Sequence, residues 1–464
     1  MSLRYPAGII KPGNNGLLAP NPPTIGTASI AGETSLAVTF TAPSGTVTGY
    51  MATAKKTSDS TTTSTSGSSS PITVTGLTTG APYTVCVAAL NTYGNSLMSA
   101  ASNSATPNGF QLWSWGRNDN AQLGLGNVTF YSSPKQVGAL TNWLNIACGY
   151  SFIVSTKTDG TLWSWGSGTN GKLGLGNTTN YSSPKQVGAL TTWLNVACGY
   201  QHTLATKTDG TLWSWGRGSF GSLGLGNTTN YSSPKQVGAL TTWLKVSCPI
   251  SSSASFAIKT DGTLWSWGSG GTGQLGLGNT TNYSSPKQVG ALTTWSTISC
   301  SSATFSFATK TDGTLWSWGG NAYGQLGLGN TTSYSSPKQV GALTTWAKSS
   351  CGTEHTTAIR TDGALYSWGR NQYGQLGLVN TTYYSSPKQV GALTTWASIA
   401  CGDNHTLATK TDGTLWSWGR NDDGQLGQNT LIIFNVSSPV QVGALTTWST
   451  ISAGSAFSTA RKTP

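Results

Sequence analysis

Five sets of residues in this 464-residue chain have types and spacings that could do chemistry. Three stretches read G-x-G-x-x-G after a strand-like run: Gly166 to Gly171, Gly216 to Gly221 and Gly268 to Gly273. A dinucleotide site built on that pattern needs a helix next, so that its N-terminus can meet the pyrophosphate. Here another turn, LGLGN, follows, and no nucleotide is expected. Ser182 to Lys185 reads S-x-x-K, the spacing of a serine nucleophile and its lysine. It recurs in six copies on a strand containing Pro, whereas a catalytic serine needs one unique pocket. Cys148, Cys198, Cys248, Cys300, Cys351 and Cys401 hold one register, with Ala453 in the seventh copy. Packed sheets lie roughly 10 Å apart, too far for a disulfide, whose Cα atoms want about 4.4–6.8 Å. Zinc would need four converging ligands. The cysteines, Cys86 of the first domain among them, are therefore expected to be free thiols that act as small core residues. His202, His355 and His405 share a register that takes Phe152 elsewhere, so they should pack or hydrogen-bond within a blade rather than form a triad. Asp159, Asp209, Asp261, Asp312, Asp362 and Asp412 all sit in turns, and Asp422–Asp423 is the one close acid pair. No catalytic residue, metal site or cofactor is expected, and the chain reads as a non-enzyme.

What defeats each motif is repetition. The run LWSWG recurs with its first aromatic at Trp113, Trp163, Trp213, Trp265, Trp316, Tyr366 and Trp416, and such a period belongs to solenoids and propellers. Each copy supplies four β-runs. In the second they are Leu162 to Gly166, Ser182 to Gly188, Thr191 to Gly199 and His202 to Lys207, closed by the Thr208-Asp209-Gly210 turn. Asp-Gly between alternating apolar runs is a strong hairpin signal. The two Trp of LWSWG are two residues apart, hence on one face, where they can pack on the next blade. The first copy starts at Leu112 without the two strands that precede it elsewhere, and the last ends with WSTISAG and FSTARKT. Two strands from each end should complete one mixed blade. The expected fold is all-β: a seven-bladed β-propeller of four-stranded blades with two-plus-two closure over residues 109–464. Before it come an extended arm (residues 1–21) and a β-sandwich (residues 22–108), whose runs Leu36 to Pro43, Thr48 to Lys56, Pro71 to Leu77 and Pro82 to Asn91 read as strands.

Two resemblances sharpen this. LTTGAPYTVCVAALNTYGNS, with Leu77, Tyr83 and Ala88 in place, resembles a bacterial fibronectin type III domain. That family's Tyr anchors a corner through its hydroxyl; its usual second-strand Trp is missing here, with Val38 and Phe40 on that strand. The repeats, with W-G…GQLG-x-G, SSP-x-Q-V, A-C-G-x-x-H-T and T-D-G-x-L-W-S-W-G, resemble the regulator of chromosome condensation family of propellers. That resemblance implies the fold. It leaves activity open, since members act as exchange factors, inhibitors and plain binding platforms.

Only 8% of residues are charged, and the formal charge of +12 comes from single Lys and Arg rather than runs. Lys157, Lys207, Lys185 and Lys235 should form a dilute positive rim, not a nucleic-acid groove. No apolar segment long enough to span a membrane and no export signal stand in the sequence. An arm, a spacer and a Gly/Ser/Thr/Asn-rich propeller resemble the anchor, stalk and head of a bacteriophage virion surface protein, made in the host cytoplasm. The leading expectation is thus a virion structural or adhesion protein. The arm and sandwich would bind other virion proteins, and the propeller a host-surface glycan or protein. The alternative is a cytosolic or signal-less secreted interaction propeller that regulates a protein partner such as a small GTPase.

One propeller face should bind. The TDG turns and VGALTTW connections on one face hardly vary, while the loops after LWSWG and after ACG diverge on the other. There the divergence brings in Arg117, Tyr150, Tyr200, Arg217, Phe220, Tyr323, Glu354, Arg370, Tyr373 and Arg420. Arg and aromatic side chains supply contact area and multiple donors.

Overall fold

The computed structural model describes residues 19–32, 34–107, 109–300, 304–429 and 434–463, so the arm lies outside the described residues except for 19–21. The chain divides into two compact units, Met1–Phe110 and Gln111–Thr463. Among the described residues no helix is long and apolar enough to cross a membrane.

The first unit has two antiparallel sheets. One joins Thr24–Gly32, Ser35–Thr41 and Ile72–Val74; the other orders Thr62–Gly67, Gly49–Lys56, Tyr83–Asn91 and Gly94–Asn95. Side chains alternate buried and exposed along Ser35–Thr41 and Gly49–Lys56, the period-2 pattern of a half-buried strand. Leu36, Val38, Ala52, Val74, Val85 and Val87 from both sheets meet in one core. Phe40 stacks on Tyr50 at 4.6 Å between ring centroids, filling that core without a Trp.

In the second unit the described residues form four-stranded antiparallel sheets of one pattern, seven in all. The sheet of Trp143–Cys148, Phe152–Lys157, Leu162–Gly166 and Tyr181–Gln186 is typical. The first of these strands is the inner one. Its Asn145 Nδ2 donates to Leu194 O of the next inner strand at 2.8 Å, as Asn195 does to Leu244 O at 3.0 Å and Lys348 Nζ to Ala397 O at 2.6 Å. The closing sheet orders Trp448–Ala453, Phe457–Lys462, Gln111–Gly116 and Tyr131–Gln136, so strands from the two ends of the chain pair directly, Phe457 opposite Gly116 and Lys462 opposite Gln111.

The second Trp of each LWSWG is the bolt between sheets. It is fully buried, and in every copy but the second, whose Trp165 N–H finds no acceptor, its indole N–H donates to a backbone carbonyl of the preceding copy: Trp215 to Lys172 O at 3.0 Å, Trp318 to Gln274 O at 2.8 Å, Trp115 to Gln425 O at 2.9 Å. The packing partner is thus the preceding sheet, not the following one expected. The reason is the glycine loop after LWSWG, which folds back onto the following sheet and offers its carbonyls there. Gly174, at φ 75°, lies so close to Trp215 that an added Cβ would sit 2.7 Å from the indole nitrogen.

The histidines also cross between sheets rather than staying within one. His202 Nε2 meets Ser255 Oγ at 2.9 Å, His355 meets Thr406 Oγ1 at 3.1 Å and His405 meets Ser458 Oγ at 3.0 Å, each on the next sheet. At the Asp-Gly turns, Asp209 Oδ1 accepts the Thr211 N–H at 2.9 Å and its hydroxyl at 2.6 Å. The same hydroxyl accepts Trp213 Nε1–H at 2.9 Å. Lys207 Nζ lies 3.7 Å from the centre of the Trp213 ring, as Lys157 does at 3.6 Å over Trp163. These lysines are buried caps on Trp; of the expected positive rim, the outer-strand Lys185 and Lys235 stay exposed.

All seven cysteines are free. Burial drives the Cys300 thiol up to about 12, against weaker hydroxyl contacts, so that thiol is a poor nucleophile. Denatured without reductant, the protein is expected to titrate close to seven reactive thiols; two or more protected pairs would contradict this packing.

Candidate protein-binding face

Within each sheet the chain reverses twice at each end. The Asp-Gly turn and the run into the next inner strand share one end, where the Trp193 N–H donates to Gly160 O at 3.1 Å. The loop after the inner strand and the loop after LWSWG share the other. There the Arg370 N–H donates to Glu354 O at 2.8 Å and the Arg217 N–H to Gln201 O at 2.8 Å.

On this loop face a run of side chains passes from sheet to sheet. The Arg370 guanidinium lies 4.9 Å over the Tyr323 ring of the preceding copy while pairing with Glu354. Its Nε also donates to Gln372 Oε1 at 3.0 Å. Arg420 repeats the arrangement one copy on, 5.3 Å over Tyr373, with Nε on Asp422 Oδ2 at 2.6 Å. Arg117 follows in the closing sheet, 2.9 Å from Asp119 Oδ2. It also attracts Asp423, whose carboxyl burial pushes up against the pull of Arg117 and Arg420. Tyr150 and Tyr200 form a separate pair, ring centroids 5.0 Å apart. Arg217 and Phe220 are not brought into either group; Phe220 is half exposed at φ 59°. Reading the copies singly missed Tyr383, whose ring is 5.7 Å from Tyr323, along with Gln372, Asp119 and Asp422. The available signal was that Arg370, Arg420 and Arg117 each follow an aromatic or acid one copy earlier, at Tyr323, Tyr373 and Asp423.

The irregular turn after Cys248 reaches across to a sheet three further on, where Ser251 Oγ donates to Asp403 Oδ1 at 3.3 Å. Asp403 Oδ2 also accepts Ser455 Oγ at 2.5 Å. Neither is arranged for proton transfer. On the opposite side, cavities of about 330–410 Å³ recur at one register, lined by residues such as Leu343, Trp346, Tyr366 and Pro387. A feature repeated in copy after copy is architecture, not a unique active site. Among the described residues, no group of three or more His, Cys, Asp and Glu could hold a metal.

Lys172 stands apart. It replaces the Gln found in five copies (Gln122, Gln274, Gln325, Gln375 and Gln425), whose side-chain oxygen caps a loop N–H, as Gln375 does for Tyr373 at 2.9 Å. Lys172 is 3% exposed, with Ser151 Oγ 3.5 Å from Nζ, and burial pulls its ammonium down to about 8. A folded value below the free 10.5 means the unfolded chain binds the proton more tightly between pH 8 and 10.5. Stability should therefore rise across that window, and below it the cost is full, about 3 kcal/mol. Lys172→Gln is expected to raise the melting temperature at pH 7 but not at pH 10.5.

Four-stranded sheets bolted in series, with variable loops gathered at one end, define a repeat propeller. The RCC1-like domain family matches residues 47–348, and the regulator of chromosome condensation (RCC1) repeat matches 362–409 and 412–461; the chain belongs to this family. Mouse RCC2 is 39% identical over 88 residues, 18% of this chain and 17% of RCC2. The human E3 ubiquitin-protein ligase HERC2 is 33% identical over 113 residues, 23% of this chain and 2% of HERC2. The chain thus spans less than a fifth of either relative. In fold it is similar to yeast RCC1 (Prp20), solved bound to Kap60: TM-score 0.69 at 19% identity, over 77% of this chain and 89% of that one. Human WBSCR16 gives 0.68 at 20% identity, over 76% and 99%. Prp20p of Saccharomyces cerevisiae, described with its binding to Gsp1p and histones, gives 0.68 at 19% identity, over 76% and 92%.

These relatives overturn the virion reading. They are proteins of mouse, human and yeast cells, so the expected virion-surface location, the virion partners of the arm and sandwich, and the host-surface receptor are withdrawn. The misreading came from composition, which reports on surface solvation rather than on a partner.

Proposed function

We propose that this chain is a protein-interaction propeller that regulates a protein partner, such as a small GTPase, through its loop face. The observation that carries this is the Tyr323–Arg370–Tyr373–Arg420 run, with Glu354 and Arg117 alongside. Stacked and ion-paired guanidinium groups lose little freedom on binding, and Arg and Tyr dominate binding energy in protein interfaces. Tyr150, Tyr200, Arg217 and Phe220 extend the same face. The Gsp1p binding described for Prp20p supports a GTPase as partner. Calorimetric titration with Gsp1p, nucleotide-free and GDP-bound, is expected to show binding in at least one state; no heat in either would sink the GTPase version.

The sheets are proposed to close as seven blades, with the propeller starting near residue 109. Support comes from the mixed closing sheet and from the Trp115 bond to Gln425 O, which joins the first copy to the last. Residues 22–108 are proposed to be a fibronectin type III-like sandwich that acts as a spacer. The Tyr83 hydroxyl accepts the Thr78 N–H at 3.0 Å, the corner bond that family uses.

A further inference from the structure

Because the copies are so alike, a departure that costs stability marks a place where one copy is used differently. In G-L-G-N the second Gly sits at positive φ: 78° at Gly126, 80° at Gly176, 78° at Gly226, 79° at Gly278 and 76° at Gly329. The sixth copy has Val379 there, held at φ 62° and 78% exposed. A β-branched side chain is strained in that region, and this one buries nothing in return.

Other exposed apolar residues stand nearby. Tyr383 occupies the position of Asn180, Asn230 and Asn282, and Phe434 is 72% exposed just before the Val436–Gln441 strand. Val128 and Phe130 stand where the second copy has Thr178 and Asn180, and both are exposed. These five residues belong to three sheets in succession: the one ending in Tyr384–Gln389, the one ending in Val436–Gln441, and the closing sheet. The loops rest on one another's neighbours, Val379 N–H donating to Ser437 O at 2.8 Å and Asn429 N–H to Ser132 O at 2.7 Å.

The same three sheets hold Arg370, Arg420 and Arg117. They also hold every carboxylate of the loop face: Glu354, Asp403, Asp422, Asp423 and Asp119. The other six propeller carboxylates are all in the turns at the opposite end. In a chain of net charge +12, this sector's loops set five carboxylates against three arginines, with the exposed Lys135 and Lys388 on the adjoining outer strands. Exposed apolar anchors in the same three sheets as these charges, with Tyr383 5.7 Å from the Tyr323 ring that Arg370 covers, have the anatomy of an interface.

We propose that the sector bearing Val379, Tyr383, Phe434, Val128 and Phe130 is the docking surface for one protein partner, which presents basic side chains around apolar pockets. The inference rests on the loop-face reading above and narrows it to three sheets. The first three sheets of the unit carry Gly, Thr and Asn at the registers of Val379, Val128 and Tyr383 and cannot make the same contacts.

The test uses fluorescein-labelled peptides and anisotropy on the full chain. One peptide alternates Arg/Lys with Leu/Phe, one alternates Asp/Glu with Leu/Phe, and one alternates Arg/Lys with Ser. The basic apolar peptide is expected to bind, and Val379→Gly with Tyr383→Asn and Phe434→Thr should weaken it at least about tenfold. Thr178→Ala with Thr228→Ala and Thr280→Ala, the register of Val128 in three other sheets, should leave it unchanged. Val379→Gly alone should raise the melting temperature, showing that strain was spent on an exposed anchor. Unchanged affinity in the triple sector variant, equal binding of the acidic peptide, or equal binding of the Ser peptide would overturn the proposal. The two readings fail separately. An unaffected peptide overturns the sector whatever Gsp1p does, whereas absent Gsp1p binding with the peptide result intact supports the sector and removes only the GTPase.

Discussion

Lowering the pH from 7.5 to 5 is expected to cost the propeller unit about 6 kcal/mol, nearly all of it through three histidines. His202, His355 and His405 are fully buried, and burial holds them down to about 4, about 3 and about 3 from a free value of 6.5. The hydrogen-bond network assigns the proton. Ser255 Oγ donates to Ser222 O at 2.7 Å and Ser458 Oγ to Gln425 O at 2.8 Å, so each facing histidine must donate from Nε2. Nδ1 of His355 and of His405 then has no hydrogen-bond partner, and a second proton would be placed there with nothing to accept it. Each folded value lies below the free one, so the unfolded chain takes up protons first as pH falls. Stability is therefore complete above about pH 6.5, drains between 6.5 and about 4, and levels off near 3. At pH 5 each histidine contributes roughly 2 kcal/mol of the loss. The turn carboxylates Asp209, Asp261, Asp312 and Asp412 act only lower, since their Thr partners hold them below 3.8. The register already accepts Phe152, Phe305 and Phe457 as buried rings. Replacing all three His by Phe should cost a little at pH 7.5 through the lost Nε2 bonds and gain several kcal/mol at pH 5. Chemical denaturation at the two pH values measures this, and an unchanged acid sensitivity in the triple variant would contradict it.

Removal of the last strand should be more drastic. Phe457–Lys462 pairs with Trp448–Ala453 on one side and Gln111–Gly116 on the other. Phe457 is fully buried with Leu112, Trp143 and Trp165, and Arg461 donates to Trp143 O at 2.9 Å. Phe457→Ala alone should cost about 3–5 kcal/mol, of the order of 10 °C in melting temperature. Ending the chain at Gly454 also strips the ladder from Gln111–Gly116 and exposes the faces of both neighbouring sheets. The propeller should then fail to melt cooperatively, while the first unit, whose core is its own, keeps its transition. A truncated chain that melts within a few degrees of the intact one would show that the ends do not latch each other.

Repetition made the strands legible, because Asp-Gly turns and period-2 runs are local signals. Thus Asp209 and Thr211 do in three dimensions what their spacing implies. The closing sheet was legible too, since missing strands at one end matched surplus strands at the other. Contacts between copies were not. His202 meets Ser255 and Arg370 covers Tyr323 about 50 residues away, through the rotation from one sheet to the next, which no single copy encodes. For the same reason Trp215 was assigned to the wrong neighbour. The candidate face was visible as divergence among copies. Its internal order was not, because Arg370, Glu354 and Tyr323 come from three separate loops. Partner class lay furthest from the sequence, and composition pointed the wrong way.

The central claim, that the loop face binds and the turn face does not, is tested most directly by titrating Gsp1p against two variants. One carries Tyr323→Ala, Arg370→Ala and Tyr373→Ala; the other carries Leu190→Ser, Leu240→Ser and Leu292→Ser, exposed leucines of the turn face. The first should lose at least about thirtyfold in affinity with an unaltered melting curve, and the second should bind like the parent chain. Retained binding in the first variant and loss in the second would place the partner on the opposite face and contradict the account.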